Sequence, residues 1–386
     1  RYIFTQIMSL VSSTSFQTLV DRHSGDYRTK DFSCWKQYLC MAFGQLTHRE
    51  SISDTMLCLK ANADKLYHLG VGKPVSVSTL TRANESRSYK IYEELAMLLI
   101  KEAKQLYIND NKLDLNLKEN VFAIDATTID LCLSTFYWAT FRSTKGGIKL
   151  HTLLDLKTAI PEFILFTNAA LHDVNALDFI YFEANSFYIM DRGYVDYARL
   201  YKIDQCGAFF VTRAKDGMCF RRLYTHAKNV EKGVLADQTI MFNTHQAMKD
   251  YPKKLRRIKY RDDETNQVFI FLTNNFKLKA TDIALLYKYR WGIELFFKWI
   301  KQHLKVKSFW GHSENAVKTQ IWIAVSVYVL VAIAKKKFML KQSLYEILQV
   351  LSISIFEKMP INQLFQEPQL QYFKEPDYKQ LTLFDL

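Results

Sequence analysis

Hydrophobic positions along the chain predict a helical first part followed by a mixed α/β second part. Residues 1–110 contain long amphipathic stretches with few Gly or Pro residues, a pattern typical of α-helices. After Lys118 the apolar residues fall instead in short runs rich in Phe, Ile, Val and Tyr, which favour strands. We therefore expect an α-helical N-terminal domain followed by a domain built around a sheet.

The strand-like runs come in an order that predicts a mixed sheet. The first three lie at 121–124, 148–155 and 160–167. A fourth run at 187–190 precedes a predicted helix over 194–204, and another strand is expected at 208–212. Strands interleaved with a helix indicate an α/β layer.

Residues 214–275 are predicted to be mostly β and contain a basic segment. If 253–261 includes a strand, its period of two places Arg257, Lys259 and Arg261 on one face, with Ile258 and Tyr260 on the other. One interpretation is a surface that contacts DNA. The alternative is a solvated edge strand, on which Lys and Arg discourage aggregation.

Helical patterns return after residue 275. A long helix is expected from about Thr281 to Leu304, and apolar helices continue toward residue 350. The most apolar run, 321–334, is short for a membrane span and favours a buried core helix. We divide the chain into a helical domain at 1–110, a catalytic domain at 111–345 interrupted by 214–275, and a C-terminal tail at 346–386.

Charge and cysteine usage restrict the partners. Lys and Arg exceed Asp and Glu by 52 − 39 = 13, which favours a polyanionic partner, with nucleic acid ahead of an anionic membrane surface. The six Cys residues are scattered without a CxxC pair, so a zinc site or disulfide framework has little support. This cysteine usage is typical of a protein in a reducing cytoplasm.

The N-terminal part contains one segment with possible DNA-binding chemistry. Ser76–Thr79 precedes a helix-like stretch, and hydroxyl side chains at that position indicate a helix N-cap. The stretch carries Arg82, Asn84, Arg87 and Lys90. It is either a recognition helix that contacts DNA or an ordinary surface helix.

Two aspartates follow buried strand-like runs. Asp125 comes directly after 121–124, and Asp191 comes directly after 187–190. Carboxylates at the carboxyl ends of strands are well placed to bind ligands, although Asp also ends many strands simply as turn chemistry. Asp130 and Asp155 remain rival candidates on this pattern alone.

The helix near residue 290 carries the most specific pattern. Tyr287, Arg290, Glu294 and Lys301 fall within a stripe about 60° wide at about 100° per residue. Glu can supply a metal-binding oxygen, Arg and Lys can bind phosphates, and Tyr can donate a hydrogen bond or stack. An ordinary amphipathic helix would explain an Arg290–Glu294 pair but not the whole stripe.

This spacing, Tyr-x2-Arg-x3-Glu-x6-Lys, resembles the signature of the insertion sequence 4 family of bacterial DDE transposases. Ile124–Thr128 resembles the first acidic motif of that family, and Met190–Tyr194 resembles the second. Phe43–Thr47 and Tyr67–Gly70 are similar to the family's N-terminal region. The resemblance covers most of the chain, although the last forty residues add little to it.

The resemblance implies an RNase H-like catalytic core with a mostly β insertion between the second acid and the glutamate. Asp125, Asp191 and Glu294 would be the catalytic acids, and such oxygen ligands suit two Mg²⁺ or Mn²⁺ ions. Arg290 and Lys301 would hold phosphates, with Tyr287 beside them. The expected reaction is DNA cleavage at transposon ends followed by strand transfer into target DNA.

The expected partners follow from that activity. They are double-stranded DNA, as terminal inverted repeats and as target, and a second copy of the chain in a synaptic homodimer at the bacterial nucleoid. Some members of the family stack a flipped base on a Trp in the insertion, but residues 192–290 contain no Trp. Phe269, Phe271 or Tyr260 could replace it, and a hairpin route to excision stays open.

Two other functions remain compatible with these residues. One is an RNase H-like nuclease that cuts DNA without transposition. The other is an inactive DNA-binding protein derived from a transposase, against which the three acids and the unbroken stripe argue.

Overall fold

Six helices form the first part of the computed structural model, which describes residues 1–366 apart from 112, 116, 133, 143–144, 228–231 and 304–308. They are α1 (Ile3–Met8), α2 (Ser13–Arg22), α3 (Cys34–Leu46), α4 (Ile52–Ala61), α5 (Val77–Ser86) and α6 (Lys90–Tyr107). Side chains of Ser12, Ser33, Ser51 and Ser76 accept hydrogen bonds from amides in the first turns of α2 to α5. These N-caps fix where the helices begin. The prediction that the first part of the chain is helical is confirmed.

A ten-stranded mixed sheet follows. Its strands are β1 (Val121–Leu131), β2 (Thr140–Arg142), β3 (Lys145–Asp155), β4 (Pro161–Asn168), β5 (Phe187–Met190), β6 (Phe209–Arg213), β7 (Phe220–Thr225), β8 (Val234–Phe242), β9 (Leu255–Arg261) and β10 (Val268–Thr273). The order is β2-β3-β1-β5-β6-β10-β9-β8-β7, with β4 also paired to β3. β1, β5 and β6 are parallel, and the other pairs are antiparallel. The fold is α/β with an RNase H-like core.

The strands of 214–275 extend the central sheet. β10 pairs directly with β6, and β9, β8 and β7 add outward from it. A buried ion pair joins two of these strands, with Arg256 of β9 donating to Asp237 of β8 at 2.7 Å and 2.9 Å. The same guanidinium donates to the carbonyl of Leu278 at 2.6 Å, in the loop before the next helix. The β-rich stretch is therefore continuous with the central sheet.

Seven more helices lie among or after the strands. They are α7 (Tyr197–Gln205), α8 (His245–Asp250), α9 (Ala280–Tyr289), α10 (Trp291–His303), α11 (Glu314–Lys337), α12 (Leu344–Ser354) and α13 (Ile361–Leu364). The prediction of one continuous helix from Thr281 to Leu304 is wrong, because the backbone switches to shorter-range hydrogen bonds at Arg290 and Ile293. No proline marks this break in the sequence.

α11 is the centre of the helical layer. By length and composition it could cross a membrane, but 94% of its apolar window is buried inside the protein, as predicted for a core helix. Tyr38 of α3 contacts Ser326 at 3.2 Å, and the Tyr107 hydroxyl donates to the Ala332 carbonyl at 2.9 Å. The N-terminal helices thus share one hydrophobic core with α11 and α12. The boundary drawn at 345/346 falls within α12, and 367–386 lie outside the described residues.

Candidate active site

The two aspartates lie side by side where two parallel strands separate. Residues 121–124 of β1 pair with 187–190 of β5, with Ile124 opposite Met190. Asp125 is the next residue on β1, and Asp191 is the first residue after β5. β1 continues past Asp125 to Leu131, so Asp125 lies within a strand and not at its end. The chain leaves the sheet at Asp191, whose carboxylate accepts a 2.7 Å hydrogen bond from the Gly193 amide.

Glu294 approaches the same place from the first turn of α10. Arg290, at the junction of α9 and α10, connects it to the sheet. One guanidinium nitrogen of Arg290, Nη1, donates to Asp125 Oδ2 at 2.9 Å, and the other, Nη2, donates to Glu294 Oε1. The helix junction and β1 are therefore held together by an acid–arginine–acid bridge.

The pKa of Asp125 reflects its burial and the charged groups around it. Burial raises the pKa of the Asp125 carboxyl from 3.8 to about 6. The Ala126 amide and the Arg290 guanidinium act in the opposite direction, while the negative charges of Asp191 and Glu294 raise the pKa further. Because like charges disfavour ionisation of one another, the three acids form one electrostatic unit.

The carboxylate oxygens of the three acids are suitable ligands for hard divalent cations, but the side chains are not arranged around a single metal position. Three carboxylates on β1, after β5 and on α10 offer the oxygen ligands that Mg²⁺ and Mn²⁺ take. Within the described ranges, however, no group of three or more His, Cys, Asp or Glu side chains is placed to hold a metal ion. Arg290 engages one oxygen each of Asp125 and Glu294.

The other two members of the helix stripe differ in their surroundings. Tyr287 packs against Phe271, with ring centroids 5.0 Å apart, and Arg290 lies 5.9 Å from the centre of the Tyr287 ring. Lys301 is exposed on α10. Tyr287 thus supports the position of Arg290, and Lys301 reaches solvent.

The two rival candidates, Asp130 and Asp155, have surroundings that differ from those of Asp125, Asp191 and Glu294. Asp130 has an exposed side chain near the end of β1. Asp155 accepts hydrogen bonds from the Lys157 amide at 2.8 Å and the Thr158 hydroxyl at 2.9 Å, which is turn chemistry. Among the ion pairs that the structure describes, Arg290 is joined to Asp125 and Glu294 but to neither of these two aspartates.

The basic residues of β9 lie on one face, as their spacing predicted. Ile258 is fully buried on the opposite face, and Tyr260 is half-buried there. Arg257 is half-buried too and donates to Gln238 at 3.1 Å, so Lys259 and Arg261 are the two that are exposed.

That face is the reverse of the one bearing Asp125. Successive pairs across the sheet join Ala123 to Ile189, Ile189 to Val211, Val211 to Thr273 and Thr273 to Arg256. Paired residues point to the same face of a sheet, so Arg256 on β9 shares a face with Ala123 on β1. Asp125, two residues after Ala123, shares their face, whereas Arg257 and its alternate neighbours point the other way.

Sequence reasoning missed a cation on the face that carries Asp125. Arg213 ends β6 opposite Phe271, and its guanidinium lies 5.2 Å from the centre of the Phe269 ring. The alternation of Phe209–Arg213 is the signal that could have found it. Of the proposed stacking residues, Phe271 is buried, while Phe269 and Tyr260 are half-buried.

Tyr194, in the second acidic motif, was also not singled out. Its hydroxyl is buried without a hydrogen-bond partner among the described residues. Burial raises the pKa of Tyr194, and the charges of Asp125 and Asp191 raise it further. A neutral hydroxyl therefore lies close to the acids.

The predicted helix-like stretch is divided in the structure, because Arg82 and Asn84 lie on α5, Arg87 is its C-cap, and Lys90 begins α6. Two of these four residues are structural. Asn84 is buried and accepts a bond from Gln37 at 2.8 Å, and Arg87 donates to Gln37 at 2.9 Å. Arg82 and Lys90 are exposed. Arg82 lines a groove of about 910 Å³ together with Arg28 and Lys30 from the loop between α2 and α3.

Comparison with known proteins matches both parts of the chain. Residues 116–330 match a family model described as a transposase DDE domain, and residues 1–72 match one described as a domain of unknown function. A protein of Sinorhizobium fredii named as a transposase is 31% identical over 293 residues, which cover 75% of this chain and 80% of that protein.

Other relatives bear similar names. A protein of Geobacillus stearothermophilus, named as a transposase for insertion sequence element IS5377, is 27% identical over 66% of each chain. One of Synechocystis, named for insertion sequence element IS4SA, is 24% identical over 67% of this chain and 72% of its own length. A solved piggyBac transposase synaptic complex with hairpin DNA aligns to 96% of this chain and 81% of its own, at 12% identity and a TM-score of 0.43. That score is too low to carry residue roles across.

Proposed function

The chain belongs to the DDE transposases of insertion sequences, and we propose that Asp125, Asp191 and Glu294 form its metal-binding catalytic centre. The single observation that carries the assignment is the meeting of β1, the end of β5 and α10, with Asp125 and Asp191 adjacent in register and Glu294 bridged to Asp125 through Arg290. Each acid comes from a different element, so only the folded chain assembles them.

The proposed chemistry is in-line displacement at DNA phosphorus. Asp125, Asp191 and Glu294 would hold two Mg²⁺ or Mn²⁺ ions, which would stabilise the charge on the attacking and leaving oxygens. Arg290 and Lys301 hold DNA phosphates by charge-assisted hydrogen bonds. Water is the nucleophile for cleavage, and the freed 3′-hydroxyl is the nucleophile for strand transfer.

Further DNA contacts are proposed at two sites away from the acids. The groove is lined by Arg28, Lys30 and Arg82 together with Asp31, and none of these three cations takes part in an ion pair that the structure describes. Lys259 and Arg261 offer a second basic surface on the reverse face of the sheet. A terminal inverted repeat that wraps the protein could contact both, because duplex DNA presents phosphates along its whole length.

The proposed assembly is a homodimer that pairs two transposon ends and then captures target DNA at the bacterial nucleoid. Light scattering of the protein with and without end DNA measures this stoichiometry. A 2:2 complex supports pairing of the ends, and a 1:1 complex under cleavage conditions contradicts it.

The test of the catalytic assignment uses three near-isosteric variants. Asp125→Asn, Asp191→Asn and Glu294→Gln should each abolish Mg²⁺-dependent nicking of DNA that carries the element's own ends, while gel-shift affinity survives. Asp130→Asn, on the exposed end of the same strand as Asp125, is the matched control and should nick normally. Full nicking by Asp191→Asn would exclude the assignment.

A second assay separates transposition from simple cleavage. Pre-cleaved end DNA with a free 3′-hydroxyl is incubated with target plasmid and Mg²⁺. Joined products are expected for a transposase, whereas cleavage of uncut ends without any joining identifies a nuclease.

A further inference from the structure

Arg290 occupies the position between the two acids that face each other across the site. Its Nη1 donates to Asp125 Oδ2 at 2.9 Å, and its Nη2 donates to Glu294 Oε1. The side chains of Arg290, Asp125 and Glu294 are 16%, 22% and 33% exposed, so the bridge is largely shielded from water. A cation already neutralises part of the acidic centre.

Arg290 is held mainly by these two carboxylates. Its remaining side-chain nitrogen, Nε, is buried without a hydrogen-bond partner in the portion of the chain that the structure describes. The Tyr287 ring lies to one side at 5.9 Å; burial raises the pKa of Tyr287, and a side-chain hydrogen bond with Arg290 opposes that rise. Without the two acids, the guanidinium would keep this uncharged partner and could bind another anion.

A divalent ion and this guanidinium draw on the same two carboxylates, and the second oxygen of Asp125, Oδ1, already accepts a hydrogen bond from the Ala126 amide at 2.8 Å. Carboxylates that bind Mg²⁺ or Mn²⁺ directly must present lone pairs to the ion, and here Arg290 takes one oxygen of Asp125 and one of Glu294. The two cations therefore compete. This agrees with the absence, within the described residues, of any three-ligand arrangement ready to hold a metal.

We propose that Arg290 is a built-in counter-ion that restrains metal loading until a DNA phosphate takes over its guanidinium. The inference rests on the proposed function of the three acids. A phosphate matches the two-pronged guanidinium as well as a carboxylate does. DNA thus releases Asp125 and Glu294 for metal binding. Because coupling between two ligands is reciprocal, bound metal must also tighten binding of the DNA end.

The experiment measures Mn²⁺ binding by the full chain, by electron paramagnetic resonance, with and without end DNA terminated by a dideoxynucleotide. The missing 3′-hydroxyl prevents strand transfer during the titration. End DNA should tighten Mn²⁺ binding by the unaltered protein at least tenfold. Arg290→Ala should bind Mn²⁺ at least tenfold more tightly than the unaltered protein without DNA, and end DNA should then add little.

Arg213→Ala is the matched control for simple loss of positive charge. Arg213 lies on the same sheet face but contacts the Phe269 ring instead of a carboxylate. Its removal should change Mn²⁺ affinity less than threefold. Arg290→Gln, which keeps much of the side-chain volume, repeats the test if Arg290→Ala melts below the working temperature.

Three outcomes would overturn the counter-ion role. They are unchanged or weaker Mn²⁺ binding by both Arg290 variants, tightening by Arg213→Ala equal to that of Arg290→Ala, and full DNA–metal coupling in Arg290→Ala. Failure of the proposed function looks different, because Asp125→Asn would then bind Mn²⁺ as well as the unaltered protein does. That result would contradict both the counter-ion role and the proposed metal-binding centre.

Discussion

Replacing Asp125 by Asn should make the metal-free protein more stable at neutral and alkaline pH. Burial raises the pKa of Asp125 from 3.8 to about 6, so the folded protein binds this proton more tightly than the unfolded chain does. A raised pKa contributes stability below about pH 4 and loses it as the pH rises through 6. Above that range the ionised carboxylate costs folding free energy, and Asn removes the cost.

The magnitude follows from the two pKa values. The difference between 3.8 and about 6 corresponds to roughly 3 kcal/mol at pH 8. That pKa already includes the attraction between Asp125 and Arg290, so we expect Asp125→Asn to gain about 3 kcal/mol at pH 8. At pH 4.5 the linkage contribution falls to about 1 kcal/mol, and the gain should fall with it.

The assay is thermal and urea unfolding in a chelating buffer at pH 8 and pH 4.5. Asp130→Asn is the control, because that side chain is exposed on the same strand, and its stability should stay within about 0.5 kcal/mol of the unaltered protein. Equal or lower stability of Asp125→Asn at pH 8 would refute the reasoning. So would a gain of the same size at both pH values, since the effect would then not arise from ionisation.

Three further predictions concern DNA. Lys301→Ala should lower the salt slope of end binding by about one and slow cleavage, and an unchanged slope and rate would identify a solvated helix charge. Lys259→Glu with Arg261→Glu should weaken end binding most at low salt, as measured by footprinting at two salt concentrations; lower solubility with normal binding would indicate edge protection instead. Lys30→Ala with Arg82→Ala should reduce the preference for terminal-repeat over random DNA in competition gel shifts, and an intact preference would assign the N-terminal groove another role.

Much of the fold was readable from local patterns. Short Phe-, Ile- and Val-rich runs identified β3, β4, β5 and β6 within a few residues. They identified the start of β1 but not its end, because the strand continues past the predicted 121–124 to Leu131. β7 was missed because its Phe220–Thr225 side chains are almost all exposed and show no alternation. The start of α7 was placed too early because Asp191 begins a short 3-10 turn and Asp196 caps the helix that follows. Such turns depend on side-chain caps rather than on hydrophobic periodicity.

The members of the proposed site could be named from the sequence, but their geometry could not. Position after strand-like runs named Asp125 and Asp191 with Asp130 and Asp155 as rivals, the helix stripe named Glu294, and the family resemblance chose among them. The register of β1 with β5 brings Asp125 and Asp191 together. The bridge through Arg290 depends on the break between α9 and α10, which no proline announces. Whether Arg257, Lys259 and Arg261 lie on the same face of the sheet as Asp125 depends on how five strands pair. Alternation within one strand cannot reveal that pairing.

The buried pair of Arg256 and Asp237 has a consequence for exchanging parts between relatives. Arg256 connects β9 to β8 and also to the carbonyl of Leu278, just before the helix that leads to Arg290 and Glu294. An ion pair that has lost its water is costly to leave half-made. A cassette of β7, β8 and β9 transplanted from another transposase must therefore bring both charges and the 275–278 loop. A cassette that lacks one of them would misplace the catalytic helix even if every new strand paired correctly.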